Sequence, residues 1–345
     1  MRPHYLVICL LAAVNASGRI PEEALAVIRT PNNGIPAIVL SGGTFDAVLS
    51  RKATLRLVGT ETSGELTVTW SELPGGRLRA QCTLTPDTPA GMYAFEASVA
   101  GMRHRNPRAV YVVESFPEAY VFAHVTDIRI GAQRGAQSAT DVFKAVVAAI
   151  NASEAAFVLI TGDLTEHGAL EEFNAFLDVL DTCGKPTFVC AGERDRYGSL
   201  YEDIFAMDTY AFRFGTDGYL AFDTKEVLAA DELGAQDGDL EVYRRTLRPC
   251  RWSVGFTHRY GESLTEPAMG IRSQLVLFVD DPLDWLIVGH WEREQGTVDV
   301  DKGLTVPWGT TKLLATPPGA DGAYRLVDVT PRSVIPRQTQ YAAPN

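Results

Sequence analysis

The spacing of apolar positions changes part-way along the chain. From Glu22 to Ser115 they fall in short runs: Ala37 to Leu40, Ala53 to Val58, Leu66 to Trp70, Leu78 to Leu84, Met92 to Val99 and Ala109 to Val113. Turn-forming clusters such as Pro31-Asn32-Asn33-Gly34 and Pro74-Gly75-Gly76 separate them. Alternation broken at regular intervals by turns predicts an antiparallel β-sandwich. Thr85 to Val99 reads as the penultimate hairpin of an immunoglobulin-like module, and no catalytic constellation falls in this part of the chain.

After Pro117 continuous apolar runs alternate with helical patterns. Tyr120 to Val125 and Ala156 to Thr161 read as buried strands. Between them, Thr140 to Ala155 places Val142, Phe143, Val146, Val147 and Ile150 on one helical face. A second helix is predicted over Ala169 to Cys183, with Gly184 as its stop, followed by a strand over Pro186 to Ala191. Strands alternating with helices imply a parallel sheet whose ligand site lies beyond the carboxyl ends of the strands.

Composition narrows the function classes. The 345 residues are 46% hydrophobic and 21% charged, ordinary globular material. A formal net charge of -12 is the opposite of the basic footprint that bulk nucleic-acid binding needs. Only six of the 31 basic residues are Lys, so the cations are mostly Arg, the side chain suited to paired anion contacts. Arg2, the apolar run Tyr5 to Val14 and the small-residue exit at Ala16 have the layout of a secretory signal, which implies a periplasmic or extracellular protein. That run, about ten residues, is shorter than the roughly 20 a helix needs to span a bilayer. Cys82, Cys183, Cys190 and Cys250 remain after its removal, and buried thiols and disulfides are equally open.

The predicted strand ends carry the chemistry. They read Asp127-Ile128-Arg129, Gly162-Asp163-Leu164, Gly192-Glu193-Arg194-Asp195, Thr257-His258-Arg259 and Gly289-His290-Trp291-Glu292. Carboxylates and imidazoles converging at one sheet edge suit divalent metals used in phosphoryl chemistry. In this order the motifs resemble the calcineurin-like metallophosphoesterase superfamily, over about Ala119 to Val334. Tyr210 to Thr224, Trp252 to His258 and Gly322 to Val329 resemble further strands of that family. The resemblance implies a four-layer α/β/β/α sandwich behind the smaller all-β module. The organisation expected is a signal peptide over 1–17, a β-sandwich over 22–116, a phosphoesterase domain over 119–334 and a C-terminal extended tail over 335–345.

By the same resemblance Asp127 matches a first-metal ligand, Asp163 the bridging carboxylate, and His258 and His290 second-metal ligands. Arg129 and Glu292 stand where the family has first-metal histidines, Glu193 replaces a second-metal Asn, and Arg194 replaces the His that assists the leaving group. Arginine has no acceptor lone pair and cannot ligate a metal. The expected set is therefore one divalent ion (Zn, Mn or Fe) held by Asp163, Glu193, His258 and His290. Arg129 and Arg194 act on phosphate beside Asp127, with Glu292, Asp195 and His167 as supporting groups. The substrate implied is a phosphate mono- or diester. Two other readings stand beside it: a metal-free pseudoenzyme serving as a scaffold, and a binder of an anionic ligand that adds Arg196 and Arg259 to the pocket. His124 reads as a core or supporting histidine, His104 as a solvated turn, and the sequence leaves the oligomeric state open.

Overall fold

The computed structural model describes residues 27–60, 62–134, 137–197, 200–207, 209–222, 246–259, 261–263, 266–267, 283–290, 297–299 and 311–343. The proposed signal segment, Trp291 and Glu292 lie outside them.

The front module is two facing sheets. One runs Ile28–Thr30, Thr44–Leu49, Leu78–Thr83, Thr67–Glu72, and the other Ala37–Leu40, Met102–Val113, Gly91–Val99, Thr54–Val58, Ser63–Glu65. Phe45, Leu49, Leu55, Phe95 and Val110 from both sheets share one core. Alternation supplies part of it: Thr44–Leu49 and Thr54–Val58 bury every second side chain. The pairing of Ala37–Leu40 with Met102–Val113 is parallel, an exception to the antiparallel expectation. His104 is buried at 8% exposure in a strand opposite Ala97, which corrects its reading as a solvated turn.

The second domain is built on two six-stranded sheets. In the first, β1 (Tyr120–Val125) pairs in parallel with β2 (Ala155–Thr161), and β2 with β3 (Thr187–Cys190). In the second, an antiparallel hairpin of β4 (Tyr210–Phe214) and β5 (Asp217–Ala221) leads into parallel β6 (Ser253–Thr257) and β7 (Trp285–Val288). Phe122, Phe157, Phe188, Tyr219, Phe256 and Ile287 interleave between the sheets. Helices α1 (Ala139–Ala152) and α2 (Leu170–Leu180) cover the other face of the first sheet. Both end earlier than their apolar pattern predicts. Ser153 turns back on α1 by donating to the Ile150 carbonyl at 2.7 Å, a side-chain bond that competes with continuing the helix. On the outer face of the second sheet, Leu247 packs against Gly218, where the expected fourth layer would lie. Among the described residues the domain is richer in sheet than that four-layer plan. No described helix is long and apolar enough to cross a membrane.

The extended tail pairs with the first sheet. Val334–Pro336 and Gln340–Tyr341 both pair with Ala323–Val329, and Arg337 holds Asp328 in a two-pronged ion pair.

The two modules are joined by a built seam as well as by the chain at Pro117. The Val189 N–H donates to the Gly34 carbonyl at 2.9 Å, so the turn near Gly34 bonds to the edge strand of the first sheet. A Cβ at Gly34 would lie 2.4 Å from the Phe205 ring, so only glycine permits that approach. Buried Arg108 donates to the carbonyls of Cys183 (3.0 Å) and Lys185 (2.7 Å) and to Asn33. Replacing Arg108 by Ala strands these acceptors, at about 1–3 kcal/mol for each one left unsatisfied. Arg108→Ala is therefore expected to lower the urea midpoint of unfolding; an unchanged midpoint would show that the seam contributes nothing.

Candidate active site

The carboxyl ends of β1, β2, β3, β6 and β7 meet at one edge. The stretches following β1 and β2 run side by side: the amides of Asp127, Arg129 and Ile130 donate to the carbonyls of Gly162, Asp163 and Leu164 at 2.9–3.1 Å. Asp127, Arg129, Asp163 and His290 all adopt left-handed backbone, with φ between 49° and 70°. Such conformations cost non-glycine residues of order 1–3 kcal/mol each and cluster where function requires them. Two glycines allow the chains to close. A Cβ at Gly289 would lie 1.7 Å from the Thr126 hydroxyl, and one at Gly192 2.3 Å from the Asp163 amide and carboxylate.

Asp163 and His258 are at the centre, with side chains only 1% and 2% exposed. Asp163 Oδ1 accepts the Arg194 amide at 3.1 Å, while Oδ2 faces Arg194 Nε at 3.3 Å and Arg129 Nε at 3.7 Å. His258 Nδ1 lies 2.7 Å from the Thr161 carbonyl, which can only accept, so Nδ1 carries the proton. Nε2 is thereby aimed at Asp163 Oδ1 (3.5 Å) and Glu193 Oε2 (3.3 Å), where it is buried without a hydrogen bond. His290 Nδ1 meets Glu193 Oε1 at 2.8 Å. Glu193, His258 and His290 form one group able to hold a cation, and Asp127, Asp163 and His258 an overlapping one.

The atoms facing His258 Nε2 are spaced to suit a divalent ion. Ligand atoms about 2.1 Å from a tetrahedral ion lie about 3.4 Å from one another, as the contacts of Nε2 with the two carboxylates do. A carbonyl acceptor on the far nitrogen is also the usual device for orienting a ligating histidine. Beside this group, Arg129 Nε lies 3.7 Å from Asp163 Oδ2.

Not every predicted residue joins this centre. Asp195 is fully buried and accepts from the amides of Leu164, Thr165 and Gly192 at 2.9–3.1 Å. It ties the loops after β2 and β3 together and ligates nothing. His167 bonds Glu172 at 2.8 Å with a largely exposed ring, at the start of α2 rather than in the site. Arg196 pairs with Glu202 and lies over the Tyr201 ring. Asp127 Oδ2 accepts from the Thr126 hydroxyl and the His290 amide, both at 2.9 Å, so Asp127 positions the β7 end. His124 lies between the sheets on Thr161 and Thr316; burial, aided by Arg325, pushes its pKa down to about 3.

Glu166, three residues beyond Asp163, carries no motif signal and yet belongs to the site. Its Oε1 takes Arg194 Nη1 at 2.6 Å, and its Oε2 lies 3.8 Å from Arg129 Nε.

The comparisons agree with this geometry. The sequence model described as calcineurin-like phosphoesterase matches residues 120–301, just over half of the chain. The protein belongs to the calcineurin-like phosphoesterase family. A purple acid phosphatase from yellow lupin (Lupinus luteus) seeds superposes with a TM-score of 0.54 at 10% identity, covering 86% of this chain and 70% of its own. That coverage exceeds the phosphoesterase domain, so the shared fold takes in part of the front module. A dimetal phosphatase from Danio rerio covers 65% of the chain and 99% of its own at 11% identity, with a TM-score of 0.42. No protein of curated function matches the sequence.

Charge in the phosphoesterase site is unbalanced without a cation. The site holds four carboxylates, Asp127, Asp163, Glu166 and Glu193, and two guanidiniums, which leaves two negative charges for a divalent ion or two imidazolium rings. Burial by itself lowers the His258 pKa, but Asp163, Asp127 and Glu193 outweigh it and hold the ring well above 6.5. Burial raises Asp163 to about 7 against the pull of His258. Burial alone would raise Glu193, but the His258 and His290 rings beside it outweigh that and hold it far below its usual range. Since the folded His258 pKa is raised, its stabilising contribution is full below about 6.5, the unfolded value, and is lost as pH climbs through the folded value. Metal-stripped protein should therefore melt at falling temperature as pH rises above 6.5, with a shallower slope in His258→Gln; equal slopes would contradict the protonated ring.

Proposed function

We propose that the protein hydrolyses phosphate mono- or diesters with one divalent ion, Zn, Mn or Fe, held by Asp163, Glu193, His258 and His290. The observation that carries this reading is the buried, unbonded His258 Nε2 facing two carboxylates within reach of one ion. When bound, such an ion supplies Lewis acidity toward a phosphoryl oxygen and a water. Thr161 fixes the ring of His258, and Asp127 fixes the backbone of His290. Arg129 and Arg194 take phosphate oxygens, the role for which a planar fork of donors is suited. Neither guanidinium can protonate a leaving group near neutral pH.

Phosphorylated small molecules are the substrates this site favours. Export is part of the proposal, resting on the Arg2 to Ala16 signal pattern, as is the immunoglobulin-like character of the front sandwich, resting on its strand spacing. Among the described residues Cys82, Cys183, Cys190 and Cys250 form no disulfide. One observation favours a second reading, a metal-free scaffold: Arg129 and Arg194 already pair with Asp163 and Glu166.

Turnover of 4-nitrophenyl phosphate with Mn, Zn or Fe supplied is expected, and loss of that turnover in His290→Ala. Activity that survives His290→Ala would place the chemistry elsewhere, and no activity with any metal would favour the scaffold. Without a proton donor, an alkyl phosphate should react at least about 100-fold more slowly than the aryl ester, the usual contribution of general acid catalysis. Equal rates would contradict the assigned role of Arg194.

A further inference from the structure

Glu166 lies between two arginines that both face the metal-ligand group. Its Oε1 bonds Arg194 Nη1 at 2.6 Å, and its Oε2, 3.8 Å from Arg129 Nε, is buried without a hydrogen bond. Arg129 Nε and Asp163 Oδ2 are likewise buried without one. Both guanidiniums thus hold Nε against carboxylates, and Arg194 also its Nη1. Arg129 Nη1 and Nη2 and Arg194 Nη2 have no hydrogen-bond partner among the described residues. Both side chains keep access to solvent, at 18% and 26% exposure.

We propose that Arg129 and Arg194, tied together by Glu166, form a metal-independent clamp for the terminal phosphoryl group of a monoester. This deepens the phosphoesterase reading and rests on it for the choice of phosphate over other oxyanions. The two guanidiniums face two carboxylates, Asp163 and Glu166, so the four groups balance before any metal is present. Three outer nitrogens offer six N–H donors, which match the three terminal oxygens of a monoester. A diester has two such oxygens, and its second ester group has to lie against charged donors that it cannot satisfy, a desolvation cost without return. Glu166 is then a positioning residue: it touches no substrate and holds the forks at a common spacing, pre-organised for an oxyanion.

The test uses the full-length protein stripped of metal with EDTA and titrated calorimetrically with inorganic phosphate, phenyl phosphate and methyl phenyl phosphate. Phosphate and phenyl phosphate are expected to bind, with the diester at least about tenfold weaker, the equivalent of one lost charge-assisted hydrogen bond. Glu166→Gln should weaken phenyl phosphate by about tenfold on the same grounds, and Glu166→Asp should recover part of the loss. Uptake of Mn2+ by Glu166→Gln should equal the parent's, a result that general loosening of the site would not produce. If Glu166→Gln loses its circular dichroism spectrum, Arg194→Lys, which keeps the charge and removes the fork, is expected to show the same weakening. The clamp is overturned if the metal-free parent binds no phosphate, if both esters bind equally, or if both variants bind like the parent. Failure of the parent to take up Mn2+, with phosphate binding intact, would instead contradict the one-metal reading alone.

Discussion

Everything at the sheet edge is organised around one buried carboxylate. Asp163 is almost without solvent, and a buried charge costs several kcal/mol unless it is paired and hydrogen-bonded. Its compensation comes from separate loops: the Arg194 amide at 3.1 Å, two guanidiniums at 3.3 and 3.7 Å, and His258 at 3.5 Å. Those partners reach it only because Gly192 has no side chain and because Asp127, Arg129 and Asp163 itself accept left-handed backbone.

Two kinds of cation can answer this carboxylate, and the site divides its two oxygens between them. Oδ2 faces permanent cations, Arg129 and Arg194, which are covalently fixed and cannot dissociate. Oδ1 faces His258, whose Nε2 serves either as an imidazolium donor or as a ligand. On the first side the charge beside the carboxylate belongs to the chain itself. On the second, carboxylates and imidazoles form a group that could hold an ion. The one-ion proposal rests on this asymmetry.

The parallel strands and the residues that end them were legible in the sequence, because a doubly covered sheet produces unbroken apolar runs and its ligand groups follow those runs directly. Side-chain direction was not. Asp195 sits one residue from Arg194 in a motif, yet a tight turn points it back at three amides. His167 follows the Gly-Asp element but is captured by Glu172, which caps the start of α2. Glu166 was missed because its partners come from two other loops, and nothing in its local sequence shows that arrangement. The sheet pairing of the tail was hidden for a related reason: it and the Arg337 ion pair join the tail to a neighbouring strand, which composition does not reveal.

The most direct measurement of the central claim is anomalous scattering from crystals soaked in Mn2+, with phases from the protein alone. One peak per chain, enclosed by Asp163, Glu193, His258 and His290 and with Arg129 still beside Asp163, is the predicted result. A second peak between Asp127 and Asp163 with Arg129 swung away would contradict it.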